Sequence, residues 1–317
     1  MALYGPHGMR LPRDLSKEIP WELYRLGKEK TIGDIFYVDC TSGLDTYDGF
    51  SRSSPLLTIA EAIDRCAAGH DDYIIVMSQL IKGATETFPV TMTKNRVHLL
   101  GVPSTPDANW IELDSTATGD VPAITFDNGV QACEIAGFSI AGGGPQSSHG
   151  AIELIASGNT GHYIHNCSFG HYQCNESQDG IRIAGNNWGN IIEDNWFYGH
   201  NVLNGKLSRN GIHLYGGGNG AFTIRNNYFL GCDVAMYFYP GAGLVNAFVI
   251  DDNKIACGSD AIGVAIDLDK GDGCLITRNR ANFGDTQMAQ IPYRDTGAAG
   301  ANHWFDNWYG ILPIMPV

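Results

Sequence analysis

One short pattern returns along this chain at the interval of a supersecondary unit: two or three apolar residues, a polar residue, asparagine, then apolar or aromatic residues. It reads Tyr163-Ile164-His165-Asn166-Cys167, Ile192-Glu193-Asp194-Asn195-Trp196, Ile224-Arg225-Asn226-Asn227-Tyr228, Val249-Ile250-Asp251-Asp252-Asn253-Lys254 and Leu275-Ile276-Thr277-Arg278-Asn279. The asparagines Asn166, Asn195, Asn227, Asn253 and Asn279 lie 29, 32, 26 and 26 residues apart, and Gly137 takes the place earlier, with Gly101 before it. Glycine and asparagine both tolerate left-handed backbone, so this column is expected to mark a tight corner between strands.

A second element precedes each corner: a glycine or small residue opening an alternating strand, as in Gly150-Ala151-Ile152-Glu153-Leu154, Gly180-Ile181-Arg182-Ile183, Gly211-Ile212-His213-Leu214 and Ala261-Ile262-Gly263-Val264-Ala265-Ile266. Alternation with period two, β-branched residues and glycine-rich turns specify short strands. Strands this short bury no face alone; stacking successive coils about 4.8 Å apart in parallel register buries one. The expected fold is therefore all-β, a single-stranded right-handed parallel β-helix of roughly eight coils. Leucine-rich repeats have a shorter period and propeller blades a longer one.

The front of the solenoid carries its own signature. Phe36-Tyr37-Val38-Asp39 reads as a strand, Ser42 to Gly49 as a turn-rich loop, and Thr58 to Cys66 as a helix. Thr58 and Glu61 form a capping-box pattern, and Ile59, Ala62, Ile63 and Cys66 share one helical face. That face is expected to cover the open edge of the first coil, which would otherwise template aggregation. This order, followed by coils with asparagine corners, resembles the pectate-lyase-like superfamily of right-handed β-helices over about residues 35 to 310. The resemblance implies an N-terminal cap of a kind found in bacterial surface proteins and phage structural proteins, and it specifies fold better than activity.

The expected organisation is an anchoring arm over 1–33, a cap over 34–70, coils over 71–295 and a C-terminal aromatic cap or contact segment over 296–317. In the arm, Trp21, Leu23, Tyr24 and Leu26 are apolar anchors on a segment too short to fold alone. In the tail, Trp304 and Trp308 stand in an aromatic-dense run that suits either a cap over the last coil or a subunit contact. Twenty basic residues against 34 acidic ones give a net charge of −14 with no basic stripe, which disfavours nucleic acid and anionic lipid as partners. No run reads as a signal peptide or a membrane span, so synthesis and folding in a cytosol are expected. The eight cysteines show no C-x2-C spacing; most sit in apolar strand contexts as buried hydrophobes, whereas Cys174 lies in a polar segment where it could meet another chain.

Catalytic residues, metal ligands and cofactors are not expected. Asp179, Asn210, Asp233 and Asp260 precede strand openings and could stack into a carboxylate pair, but they are also ordinary turn residues. Asp45 and Asp48 are expected to hold the front loop by Asx turns. His162, His165, His200 and His213 read as hydrogen-bonded or surface histidines, and the acidic groups Glu193-Asp194, Asp251-Asp252 and Asp267-Leu268-Asp269 as a solvated face. The motif sets of polygalacturonases and alginate epimerases are absent, Arg182 touching one of them only superficially. With no catalytic set in view, the expectation is a structural phage virion protein: a minor capsid, decoration or small spike-like protein. It attaches to other virion proteins through its arm, and analogy with phage β-helices implies a homotrimer. A polysaccharide lyase or glycoside hydrolase working in a groove along the coils is the alternative. A glycan-binding adhesin with Trp188, Trp196 and Tyr198 as a stacking platform is another, so a surface glycan is a further candidate partner.

Overall fold

The computed structural model describes residues 33–309 and 312–313 apart from 79, 83–84, 103–110, 144–147, 171–176, 200–206, 239–242, 244, 257–263, 269–270, 282–290 and 297–301. The chain divides into Met1–Gly33 and Asp34–Val317, and the architecture below belongs to the second unit. Trp21, Leu23, Tyr24 and Leu26 of the arm lie outside the described residues, as do Cys174, Asp260 and His200.

The second unit is a parallel β-solenoid with three long sheets. The first sheet has ten strands, from Ile35–Val38 and Asp72–Val76 through Val97–Gly101, Glu134–Ala136, Tyr163–His165, Ile191–Glu193, Thr223–Arg225, Val249–Asp251 and Leu275–Thr277 to His303–Phe305. A second ten-stranded sheet follows each corner, its strands including Phe138–Ala141, Ser168–Phe169, Trp196–Tyr198, Tyr228–Leu230, Lys254–Ala256, Arg280–Ala281 and Trp308–Tyr309. The third has eight strands, among them Ile124–Phe126, Gly150–Leu154, Ser177–Ile183, Leu207–Leu214, Val234–Phe238, Val264–Leu268 and Ile291–Asp295. Only the last pairing, Trp308–Tyr309 with Leu312–Pro313, is antiparallel among these ladders.

Because every strand is in parallel register, like positions stack. The central residue of each first-sheet strand points inward: Ile74, Leu99, Ile135, Ile164, Ile192, Ile224, Ile250 and Ile276 are fully buried and paired coil to coil. Burying each such side chain stabilises by about 2 kcal/mol against leaving it in water. Phe169, Phe197 and Phe229 stack from the second sheet at 4.7 and 4.5 Å. This stack explains two glycines that the sequence placed at strand openings and that lie inside the third-sheet strands: a Cβ on Gly180 would sit 2.8 Å from the Phe197 ring, and one on Gly211 would sit 2.5 Å from Phe229.

At the front, the helix is Ile59–Arg65, with Thr58 as N-cap accepting from Glu61 N at 3.1 Å and Ile59, Ala62 and Ile63 in the core. The Glu86 carboxylate also accepts from Ile59 N at 2.6 Å, and burial pushes its pKa up to about 7. Asp48 Oδ1 accepts from Phe50 N in the expected Asx turn, whereas Asp45 reaches 12 and 13 residues on, its Oδ1 accepting from Leu57 N and Thr58 N, so it ties the loop to the helix start and makes no Asx turn. Cys40, Cys66, Cys133, Cys167, Cys232 and Cys274 are buried.

The corner column differs from the expected one. The left-handed residues are Gly137, Asn166, Asp194, Asn226, Asp252, Arg278 and Asp306. Asn195, Asn227, Asn253 and Asn279 follow the bend by one residue and are buried, so the repeat read from sequence merges two positions. Gly101 is no left-handed corner either; it lets the chain approach Gly137, whose carbonyl oxygen a Cβ would meet at 2.5 Å. The buried asparagines serve a side-chain purpose. Asn227 Oδ1 accepts from Asn195 N and Nδ2, both at 3.1 Å, while Asn227 Nδ2 donates to Ile192 O at 2.9 Å and Asn253 Oδ1 at 3.0 Å. The same bonds carry the ladder through Asn253 and Asn279 to Asn307.

Adjacent residues should therefore respond differently to mutation. Asn227→Ala strands several buried donors and acceptors and should cost about 3–5 kcal/mol in urea unfolding. Asn226→Gly, at φ +51, should stay within about 1 kcal/mol of the parent. Equal costs would refute the two-position reading of the corner.

Candidate functional site

Outward columns carry the chemistry, and on the third sheet the register aligns Thr125, Glu153, Arg182, His213, Tyr237, Asp267 and Arg294. Around the middle of this column, titratable groups converge. Asp179 is buried at the opening of its strand; its Oδ1 accepts from Asn210 N at 3.2 Å and Asn210 Nδ2 at 2.7 Å. Its Oδ2 accepts from His213 Nδ1 at 2.9 Å and stands 3.9 Å from Arg182 Nε. Arg182 lies over the Tyr215 ring at 4.1 Å, and His213 stacks with Tyr237 at 5.2 Å. Glu153, buried one strand away, accepts from His149 Nδ1 and Gly150 N, each at 3.1 Å.

Arg182 is the unusual member. Its Nε and Nη1 are buried without a hydrogen-bond partner among the described residues. Two idle guanidinium donors in a shielded position cost stability unless something accepts from them, and a carboxylate is the acceptor whose geometry they fit. Asp179 holds His213 in one orientation and tautomer, which leaves Nε2 as the atom able to exchange a proton.

Only part of this was expected. Asp179 and Asn210 do stack one coil apart, but their next neighbour is Val234, so Asp233 falls out of the column. His213 is hydrogen-bonded, one of the two readings given for it, and belongs to a cluster of titratable groups that also holds Arg182, which was set aside in the sequence. The sequence carried one usable sign: Arg182 and His213 both stand two residues after the strand-opening glycine, which puts them side by side once the coils are in register.

The first sheet presents a different outward set. Glu134 accepts from His98 Nδ1 at 2.6 Å and His165 Nε2 at 2.7 Å; burial alone would raise its pKa, but these bonds outweigh it and hold the carboxyl down at about 2. Glu193 accepts from Tyr163 and Arg225, which together outweigh its burial and keep it below the usual carboxylate range. Asp251 pairs with Arg278, and on the third sheet Asp267 pairs with Arg294. Of the acids expected to form a solvated face, Glu193, Asp251 and Asp267 are thus paired with arginines, Glu193 and Asp267 being buried, whereas Asp252 is exposed and Asp269 lies outside the described residues.

His162 is fully buried, accepting from Cys133 N through Nδ1 at 3.2 Å, with its ring 4.2 Å from Phe126. Trp304 continues the inward isoleucine column of the first sheet and donates from Nε1 to Asp295 at 2.7 Å; it packs inside its own chain on the last coil, which fits the cap alternative and not a subunit contact through this side chain. Trp308 is half-buried on the second sheet. At the front, Asp34, His70 and Asp72 bring ligand-type atoms within 4.8 Å of one another, but both Asp72 oxygens already accept backbone N–H groups, from Asp34 and Ala67. No helix among the described residues is long and apolar enough to cross a membrane.

Two buried groups oppose each other in the pH dependence of stability: Glu86, raised to about 7, adds stability as pH falls from 7 to ~4.5, and His162 removes it. Burial pushes the pKa of His162 down to about 4, whereas an exposed histidine titrates near pH ~6.5. The unfolded chain therefore binds the proton more readily: the contribution is complete above pH ~6.5 and falls by roughly 1.4 kcal/mol per unit as pH drops toward 4. His162→Asn, which supplies a neutral carboxamide to Cys133 N, should remove that loss and leave the opposite contribution of Glu86, so that between pH ~6.5 and ~4.5 the variant gains urea stability relative to the parent as pH falls; a separate loss follows below pH ~4.5 as Glu134 is protonated. An unchanged slope would refute the assignment.

No family model and no curated protein matches the chain. Among solved structures it is similar to one described as "Rhamnogalacturonan lyase", at 14% identity and a TM-score of 0.41, over 90% of this chain and 65% of that one. The chain thus spans less than two thirds of that protein's length.

Proposed function

We propose that this protein acts on an acidic polysaccharide laid across the outer face of the third sheet, cleaving it by β-elimination. The observation that carries the reading is the Asp179–His213 pair beside a guanidinium, Arg182, whose Nε and Nη1 make no hydrogen bond among the described residues. Elimination next to a uronate carboxylate makes three demands: neutralise that carboxylate so the adjacent carbon becomes acidic, remove its proton, and protonate the departing glycosidic oxygen. Arg182 suits the first. His213, tied through Nδ1 to Asp179, suits the second through Nε2. Tyr215 beneath Arg182 and Tyr237 against His213 carry the hydroxyls nearest to these groups for the third.

Hydrolysis by paired carboxylates fits less well, because such a pair needs free oxygens facing the scissile bond. Both Asp179 oxygens and Glu153 Oε1 already hold groups of the chain in place. A structural virion role rests on the arm, of which residues 1–32 lie outside the described residues, and on the lack of an assembled catalytic set; against it, the Asp179–His213 hydrogen bond suits a base and its orienter.

Incubation with polyuronates such as polygalacturonate and alginate should release oligomers with the ultraviolet absorbance of an unsaturated uronate. His213→Ala should lower kcat by about 10²–10⁴-fold. Arg182→Lys, which keeps the charge but loses the fork, should lower kcat/KM by about tenfold or more. New reducing ends without that absorbance would make the protein a hydrolase, and no product from any acidic glycan would overturn the reading.

A further inference from the structure

The outer face of the second sheet carries a ladder of another composition. Register pairs Ser168 with Trp196, Trp196 with Tyr228, Tyr228 with Lys254, Lys254 with Arg280 and Arg280 with Trp308. The alternate positions, Phe169, Phe197, Phe229, Ile255 and Ala281, are buried, which puts the ladder on the outside. Trp196 is 42% exposed, a large apolar surface for a residue in the middle of a sheet. It leans on Tyr228 at 4.6 Å and on Tyr198 at 6.0 Å.

The two cations of this ladder differ from most of the arginines, and share with Arg52 and Lys94 the lack of an ion pair among the described residues. Arg65, Arg96, Arg225, Arg278 and Arg294 each meet a carboxylate of the chain. Lys254 and Arg280 enter no ion pair among the described residues, although acids outnumber bases 34 to 20 in the chain. Two adjacent unneutralised cations, with Trp196 and Tyr228 on one side and Trp308 on the other, are complementary to a ligand that alternates flat apolar faces with negative charge. A chain of uronate sugars is such a ligand. Each sugar offers a C–H face to an indole or phenol ring and a carboxylate to a lysine or arginine. Spacing agrees as well: successive rungs rise by about 4.8 Å, close to the length of one sugar residue, so the five rungs from Trp196 to Trp308 span about 19 Å.

We propose that this face binds an acidic polysaccharide running along the solenoid axis, with Trp196, Tyr228 and Trp308 stacking on sugar rings and Lys254 and Arg280 taking the carboxylates. It is a second site, on a different sheet from Arg182 and His213, and it does not depend on the reading of the third sheet. Its role is to hold polymer and raise the local concentration of chain ends.

Calorimetric titration of the full chain with oligogalacturonate, with a neutral cello-oligosaccharide of equal length as control, tests it. To isolate this face, the parent is Arg182→Ala, which disables the third-sheet cluster. Oligogalacturonate should bind that parent and quench tryptophan emission, and the neutral oligomer should bind at least tenfold more weakly. Adding Lys254→Ala with Arg280→Ala should weaken binding by about tenfold, as should Trp196→Ala, while Arg280→Lys should recover part of the loss. Circular dichroism matching the parent establishes that these outward substitutions leave the fold intact. Equal binding of the neutral oligomer, no binding to the Arg182→Ala parent, or affinity indifferent to Lys254, Arg280 and Trp196 would each overturn the proposal. So would light scattering that showed a dimer dissolved by Trp196→Ala and Arg280→Ala, since the occupant would then be a second copy of this chain. Polyuronate cleavage by the wild type reports separately on the third sheet, so the two sites can fail independently.

Discussion

The carboxamides that cross the corner between the first and second sheets set the register on which this solenoid depends. At each corner the backbone bends through a left-handed residue, and a sheet ladder cannot close there. The next residue would leave its N–H unpaired in the interior, as would the carbonyl three residues earlier in the coil below. Asn195, Asn227, Asn253 and Asn279 satisfy both at once, accepting from the coil before and donating back to it. In a buried setting these bonds are worth most in what their loss would cost, because no water replaces them. Each asparagine also fixes the position of the next coil, since a slip of one residue would break all of its bonds.

Register, once imposed, divides the side chains into inward and outward columns with different obligations. Inward columns must be alike, because each side chain packs on its own counterpart; hence the run of isoleucines on the first sheet and the phenylalanine stack on the second. Outward columns are free to vary, and the three sheets vary in different ways. The first neutralises its charges internally, as in Glu134 between two histidines and Glu193 with Arg225. The third leaves Arg182 unsatisfied beside an oriented histidine. The second sets aromatic rings and unpaired cations in one line. Function is thus sought on the second and third sheets, where the surface has bonding capacity left over.

Much of the fold was legible because its determinants are local and periodic. Thr58 and Glu61 announce the helix start, and the alternation in Gly180-Ile181-Arg182-Ile183 announces a strand, without reference to anything distant. The corner was legible in existence but not in detail. Asn166 and Asn195 look equivalent in a one-dimensional repeat, yet one supplies left-handed backbone and the other a buried carboxamide. Trp304 was ambiguous for a related reason: an aromatic in a terminal segment suits a cap or a contact equally until the register shows it continuing the isoleucine column. The clusters were least legible of all, since Asp179 and His213 are separated by 34 residues and meet only across a strand pair.

By itself the sequence determined the architecture: repeats of 26 to 32 residues, with an apolar residue at every second strand position, bury a core only by stacking coils in parallel. It determined the front helix and the turn chemistry of Asp48 as well, because capping and Asx bonds span only a few residues, whereas Asp45 was expected to make such a turn and instead holds Leu57 and Thr58 across the loop. Tertiary structure alone decided which outward residues share a column, and therefore that Arg182 stands beside His213 and that Lys254 stands beside Arg280. The physical reason is that coil lengths vary while the spacing between coils does not, so neighbourhood on the surface follows from the register and not from distance along the chain.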